Sequence, residues 1–351
     1  MPRRLALTGL YQASVLDYKD RALKPDEVLV RTEFASGKHG TTLAMLDGRS
    51  FAGMRFDSER HLFVDSGEPG AIRRPSRANP WRTGTSGLGL VEAVGEDVTR
   101  LSPGDRVVGL MDIRETNICA EDRVWPLGDI DPLVALCIEP AYVSIHCIRE
   151  SNIRYGDRVA VIGLGALGLL AVSIAREAGA ETIVAADLLP QRRALALEYG
   201  ADHAFDPRDG DLASQTHELT DGMGVDVAIE LTGAYIGLNT AIACTRVGGL
   251  VCSAGFYQGE AQDLFLGREW HHNRLTMIVP HGCGFGHEPR DYPYWDSQRA
   301  FRAILSMMRQ GRLNCRGLIN RVYPLEEATQ VFEHIRQQPD ALIKFAVDLR
   351  G

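Results

Sequence analysis

The sequence predicts an α/β protein that combines a doubly wound parallel sheet with a second, mostly β domain. Three observations predict it. The chain has 351 residues, more than one domain usually holds. Its texture changes near Asp157 from short, turn-broken strands to a repeated alternation of apolar strand, turn and helix. A glycine triplet stands between the first of those strands and the helix that follows.

In the first 150 residues, strands are expected over 28–33, 89–94 and 106–110, the last after the turn signal Ser102-Pro-Gly-Asp. Beyond Asp157, apolar runs predict strands over 158–162, 182–186, 225–230, 250–253 and 275–279. Helices are expected over 166–178 and 190–199. After Pro280 a loop rich in Gly, Pro and aromatics leads to a helix over 297–309, where Phe301, Ile304, Leu305 and Met308 recur at helical spacing. A helix over 325–337 and a closing strand over 343–349 return the chain to the first domain.

Apolar residues make up 45% and charged residues 24%, enough apolar surface for two folded cores, which excludes a disordered chain. The formal net charge of −8 argues against a nucleic acid partner, since phosphate backbones select for positive charge. Only four of the 38 basic residues are lysines, Lys19, Lys24, Lys38 and Lys344. No apolar run reaches membrane-spanning or signal-peptide length, so no membrane partner is expected. Seven cysteines without a C-x-x-C pair suit reduced thiols in a cytoplasmic protein.

The strongest motif is Val159-Ala-Val-Ile-Gly163-Leu-Gly165-Ala-Leu-Gly168. Gly163 serves a tight turn, Gly165 lets a pyrophosphate approach the backbone, and Gly168 lets helix pack closely on strand. The amides that open the helix, among them those of Ala166 and Leu167, then face the phosphate. The next strand ends at Asp187, where a carboxylate accepts the ribose hydroxyls and repels a 2′-phosphate. Leu188-Leu189-Pro190 bring no compensating charge, although Arg192 and Arg193 follow within a helical turn. NAD is therefore the expected cofactor, with Arg192 beside its adenosine end and Thr232 and Gly255 closing the site after the third and fourth strands.

With that motif placed, nearly the whole chain resembles the medium-chain dehydrogenase/reductase superfamily of zinc alcohol, sorbitol and threonine dehydrogenases. The resemblance is carried by Leu101-Ser-Pro-Gly-Asp-Arg-Val-Val108, Glu139-Pro140 ahead of His146, Tyr155-Gly-Asp-Arg-Val, Leu197-Glu-Tyr-Gly-Ala201, Gly224-Val-Asp-Val-Ala-Ile-Glu-Leu-Thr-Gly233 and Val247-Gly-Gly-Leu-Val251. It implies a GroES-like catalytic domain over 1–145, a Rossmann cofactor domain over 146–285, and a return to the catalytic domain over 286–351. It also implies a homodimer or a tetramer of dimers, joined through the last strand of the cofactor sheet, whose apolar edge would otherwise stand open.

The resemblance breaks at the metal. Where zinc members carry Cys-Gly-Thr-Asp, this chain has His39-Gly40-Thr41-Thr42, and the Gly-His-Glu segment of the second ligand is Gly84-Thr85-Ser86. Glu139 alone matches a ligand position, and the four-cysteine lobe of a structural zinc is absent. A catalytic zinc takes three protein ligands, so no bound metal is expected. Ser36-x-x-x-Gly40-Thr41, Glu269-Trp-His-His-Asn-Arg-Leu and Trp295-x-x-x-Arg299 resemble the bacteriochlorophyllide hydroxyethyl dehydrogenase-like group, whose members often lack these ligands.

These readings imply a zinc-independent NAD-linked dehydrogenase of a secondary alcohol, polyol or sugar derivative. His39 is the expected proton acceptor, Thr41 its relay to solvent, and Glu139 a partner that orients His39 or raises its pKa. Lys38, Tyr142, His271, His272 and His281 are weaker candidates, and His146 reads as structural. The segment 49–82 holds seven arginines and four acidic residues, which fits a solvated loop or a lid over an anionic or hydroxylated substrate. Two alternatives stay open: an NAD(P)H-dependent enone or quinone reductase, and a dinucleotide-binding protein without activity.

Overall fold

The computed structural model describes residues 1–48, 51–280 and 291–351. The chain opens with β1 (Arg3–Gly9), β2 (Gln12–Asp17), the long β3 (Glu27–Ser36) and helix α1 (His39–Asp47). A hairpin of β4 (Met54–Asp57) and β5 (Leu62–Asp65) follows, then β6 (Trp81–Arg82), β7 (Ser86–Val94), β8 (Arg106–Gly109), β9 (Thr116–Ala120) and β10 (Val124–Pro126). Helices α2 (Pro132–Ala135) and α3 (Ile138–Glu150) lead out of this part.

The cofactor-type half follows as β11 (Arg158–Ile162), α4 (Ala166–Glu177), β12 (Thr182–Ala186), α5 (Pro190–Glu198), β13 (His203–Phe205), α6 (Leu212–Glu218), β14 (Val225–Glu230), α7 (Tyr235–Cys244), β15 (Thr245–Ser253), α8 (Glu269–His272) and β16 (Thr276–Ile278). Its six strands pair in the order β13-β12-β11-β14-β15-β16, all parallel. Order reverses between β12 and β14 around β11, which opens a crevice at the carboxyl ends of the strands. The α/β class and the doubly wound sheet expected from the sequence are both present.

The last elements are α9 (Ser297–Arg309), β17 (Ile319–Pro324), α10 (Val331–Gln337) and β18 (Lys344–Asp348). β18 pairs with β3 and β17, so the chain ends inside the sheet in which it began, ordered β10-β8-β7-β3-β18-β17 with β9 also on β3. A smaller sheet, β2-β1-β6, lies beside it. The expected helix over 325–337 is shorter, because a 3₁₀ turn at Glu327–Gln330 precedes α10. The expected boundary at residue 145 falls inside α3, and that at residue 285 lies outside the described residues.

α3 is what joins the two halves. Ten of its residues are buried, an all-round burial expected of a helix with packing partners on several sides. Tyr142 stacks on Phe301 of α9 with ring centroids 4.4 Å apart, and Phe301 meets Trp125 at 4.5 Å. The Ser144 hydroxyl donates to the Leu167 carbonyl at 2.9 Å, which fixes the middle of α3 against the first turn of α4.

Candidate active site

The glycine loop has the conformation its sequence requires. Gly163 has φ +93°, a left-handed value that favours glycine, and a Cβ there would strike Thr232. At Gly168 a Cβ would run into the Gly163 carbonyl oxygen, so α4 can pack on β11 only without a side chain. Gly165 differs: no atom lies within 4 Å of its would-be Cβ, so the space there is open. α4 begins at this residue with no side-chain cap, which leaves its first amides available to an anion.

Asp187 directly follows β12, beside this loop. Its Oδ2 accepts the Leu164 N–H at 2.8 Å and its Oδ1 accepts the Leu189 N–H at 2.9 Å. The Arg192 guanidinium lies 3.7 Å from Oδ2 and donates to the Pro339 carbonyl at 3.3 Å. Arg193 turns away, to the Asp187 carbonyl at 2.8 Å and the Asp206 carboxylate at 3.0 Å.

Thr232 and Gly255 come together around Glu230, which sequence reasoning did not single out. The Glu230 carboxylate is buried at the end of β14 and accepts the Thr232 N–H at 2.6 Å and the hydroxyls of Thr232 and Tyr257. Burial pushes the Glu230 carboxyl above the usual range, against those hydrogen bonds. A Cβ at Gly255 would press on Glu230 and Gly233, so this glycine keeps the ends of β14 and β15 together. Gly163 abuts Thr232, Gly255 abuts Glu230 and Gly233, and Asp187 bonds Leu164, so the expected cofactor residues adjoin one another at the carboxyl ends of β11, β12, β14 and β15.

The catalytic candidates assemble differently from expectation. Glu139, in the first turn of α3, does not partner His39. Its Oε1 accepts the Lys38 ammonium at 3.3 Å, while its Oε2 is buried with no hydrogen-bond partner. The physical reason is order along the chain: Lys38 is the residue that precedes α1, and its longer side chain reaches the start of α3. On the far side, Lys344 of β18 is buried and donates to the Gly37 carbonyl at 3.0 Å. Burial lowers its pKa, while the Glu139 charge opposes that shift and Lys38 adds to it.

His39 opens α1 and is half-buried. Burial, the Lys344 charge and the Arg192 charge push its imidazole down to about 4, the reverse of the expected rise. The ring is therefore neutral at physiological pH. Thr41 sits in the first turn of the same helix, half-buried. Of the weaker candidates, Tyr142 is a core residue, His271 and His272 are exposed on α8, and His281 lies outside the described residues.

The residues do not fit a zinc ion. Thr85 stands at the second ligand position, and its hydroxyl is not a ligand type of the family's zinc sites. Glu139 is already neutralised by Lys38, and two lysines beside one carboxylate would repel a dication. Among the described residues no three His, Cys, Asp or Glu side chains come together.

The arginine-rich segment folds, in its described part, as the β4–β5 hairpin with flanking loops. Arg55, Arg60, Arg73, Arg74 and Arg77 are exposed. Phe51 stacks on Phe63 at 5.2 Å and on Phe256, one residue past Gly255, at 5.8 Å, so the segment touches the cofactor half at the strand ends. Among the described residues, no helix is long and apolar enough to cross a membrane.

Comparison with known proteins agrees with this architecture. The alcohol dehydrogenase GroES-like domain family matches residues 24–128, and the zinc-binding dehydrogenase family matches residues 166–296. D-guloside 3-dehydrogenase of Escherichia coli K12 is 30% identical, over 98% of this chain and 99% of the relative. Sorbitol dehydrogenase 1 of Saccharomyces cerevisiae is 27% identical, over 73% of this chain and 78% of the relative. Among solved structures, 2R,3R-butanediol dehydrogenase of Bacillus subtilis superposes with a TM-score of 0.77 at 21% identity, covering 99% of both chains. An Escherichia coli oxidoreductase/dehydrogenase of unknown specificity gives 0.80 at 19% identity, again over 99% of both. The relatives are dehydrogenases of alcohols and polyols, and the chain belongs with them to the medium-chain dehydrogenase/reductase superfamily.

Proposed function

We propose that the protein oxidises a secondary hydroxyl of a sugar, glycoside or polyol with NAD, or reduces the matching carbonyl with NADH, and that it does so without zinc. The observation that carries the reading is the open floor at Gly165, with the Asp187 carboxylate fixed beside it through the Leu164 amide. Bound there, NAD supplies the hydride acceptor. The α4 amides and the helix dipole would hold its pyrophosphate, and Asp187 would accept from the ribose while repelling a 2′-phosphate. Arg192, held by Asp187 and the Pro339 carbonyl, is not free to reverse that preference.

Proton handling falls to the N-terminal turn of α1. His39, neutral because its surroundings are positive and dry, takes the hydroxyl proton at a ring nitrogen and passes it through the Thr41 hydroxyl to solvent. Substrate selection falls to the hairpin segment, whose exposed arginines suit a ligand rich in oxygen. The whole-length likeness to a D-guloside dehydrogenase supports a glycoside or related sugar over a simple alcohol. The open edge of the parallel sheet at β16 supports pairing of two copies in a homodimer.

The test is spectrophotometric. NAD reduction is followed by the absorbance of the reduced nicotinamide with methyl D-guloside, other pyranosides and free polyols, with NADP and quinones in parallel. Turnover of quinone with NADPH, and of no hydroxyl compound with NAD, would replace this function with a reductase.

A further inference from the structure

We infer that the Lys38 ammonium, anchored by Glu139, is the group that contacts the reacting oxygen, in the place where zinc-dependent members of the superfamily put a metal ion. The inference rests on the hydride-transfer reading above and assigns the electrophile that the reading lacks.

Four observations carry it. The pair is asymmetric: the Glu139 side chain is 8% exposed and that of Lys38 28%, so the carboxylate is closed off while the lysine side chain is in part accessible. An ion approaching Glu139 meets Lys38 first. The ammonium has three N–H donors, and among the described residues it has one partner, Glu139 Oε1 at 3.3 Å. Donors remain for a ligand oxygen.

The pair is also in the right place and held there. The Lys38 charge is felt by Cys147 of α3, whose carbonyl meets Cys252 of β15, and the next residue, His39, feels the Arg192 charge just past β12, so the pair lies on the side of α3 that faces the cofactor-type half. The Lys38 carbonyl accepts the Thr42 hydroxyl at 2.7 Å, and the preceding Gly37 carbonyl accepts Lys344. Its backbone is fixed on both sides. Finally, the chain uses arginine for 34 of its 38 basic residues, yet two of its four lysines flank Glu139. A compact ammonium can meet a single developing oxyanion, where the flat guanidinium fork suits two-oxygen acceptors.

The step balances without a metal. The carbinol C–H bond breaks and its electron pair leaves as hydride to the nicotinamide C4, which is reduced. The O–H bond breaks, its proton goes to His39, and the C=O bond forms as the alcohol is oxidised. Lys38 keeps all its protons and stabilises the negative charge that gathers on the oxygen between those events. Glu139 and Lys344 touch no substrate and act as positioning residues.

The experiment compares the full-length wild type with Lys38→Met and Lys38→Arg, assayed for NAD reduction on methyl D-guloside and the pyranoside panel, with NADH affinity measured by fluorescence. Lys38→Met is expected to lose about 10²–10³-fold in kcat while NADH affinity holds, and added methylammonium restores part of that loss in a saturable manner. Lys38→Arg is expected to fall between the two. A Lys38→Met enzyme that keeps its kcat, a loss that methylammonium leaves untouched, or stoichiometric zinc whose chelation stops the wild type overturns the inference while the dehydrogenase reading stands. A wild type that reduces NAD with no hydroxyl compound overturns that reading, and this inference with it.

Discussion

Asp187 Oδ2 accepts the backbone N–H of Leu164 at 2.8 Å, and the same oxygen faces the Arg192 guanidinium at 3.7 Å. One carboxylate therefore ties the end of β12 to the glycine loop and also neutralises the cation best placed to receive a 2′-phosphate. Asp187→Ser removes both effects. The ratio of kcat/KM for NAD over NADP is expected to fall by roughly 10–100-fold, mostly through loss of NAD affinity and gain at Arg192. An unchanged ratio would mean that some other group sets the preference.

Gly165 and Gly168 stand three residues apart and should respond in opposite ways. A methyl at Gly165 meets no protein atom, so Gly165→Ala is expected to keep the thermal midpoint and weaken NADH binding by at least ~10-fold. A methyl at Gly168 collides with the Gly163 carbonyl, so Gly168→Ala is expected to cost about 3 kcal/mol of stability. Thermal melts and NADH titrations of both variants separate a ligand cradle from a packing contact; equal melting losses would refute the distinction.

His39 acts as a base only when neutral, and its imidazole is pushed down to about 4 by burial, Lys344 and Arg192. Its neutral form persists as pH falls through the ordinary value of 6.5, so the acid limb of kcat/KM is expected near pH 4. His39→Ala is expected to lose about 10²–10⁴-fold in kcat and to erase that limb. A wild-type limb centred near 6.5, or a variant with intact turnover, removes His39 from the chemistry.

How much of this was legible in the sequence follows from how local each feature is. Gly163, Gly165, Gly168 and Asp187 are read within one strand-helix-strand unit, because backbone sterics alone dictate where glycine is needed. The parallel, doubly wound character of the sheet followed from the same alternation. The Lys38–Glu139 pair joins residues 101 positions apart, and no periodicity encodes such a contact. The sequence pointed first to His39 and Glu139, at the first and third ligand positions, and ranked Lys38 beside them only as a weaker candidate. A cation next to a vacated metal position was the available signal. The β4–β5 hairpin, with no clean alternation and mostly exposed residues, gave no strand pattern to read.

His146 supplies a pH test of stability that is independent of activity. Its ring is 2% exposed, packs edge-on to Tyr142 with centroids 4.6 Å apart, and has no hydrogen-bond partner at either nitrogen among the described residues. Burial, reinforced by the Arg149 charge and opposed by Asp291, pushes its pKa down from 6.5 to about 4. The unfolded chain therefore binds this proton more readily than the folded one. Stability contributed by the neutral ring is complete above pH 6.5 and is lost as pH falls toward 4, by about 3 kcal/mol. His39 contributes a loss of the same sign over the same window, so the His146 share is isolated by substitution. His146→Phe keeps a ring against Tyr142 and removes two unpaired polar atoms, so it is expected to match or exceed the wild type at pH 7. In urea titrations at pH 7 and pH 4.5, its midpoint should drop clearly less than that of the wild type. Parallel drops would show that the buried imidazole finds its proton without cost, and that acid instability arises elsewhere.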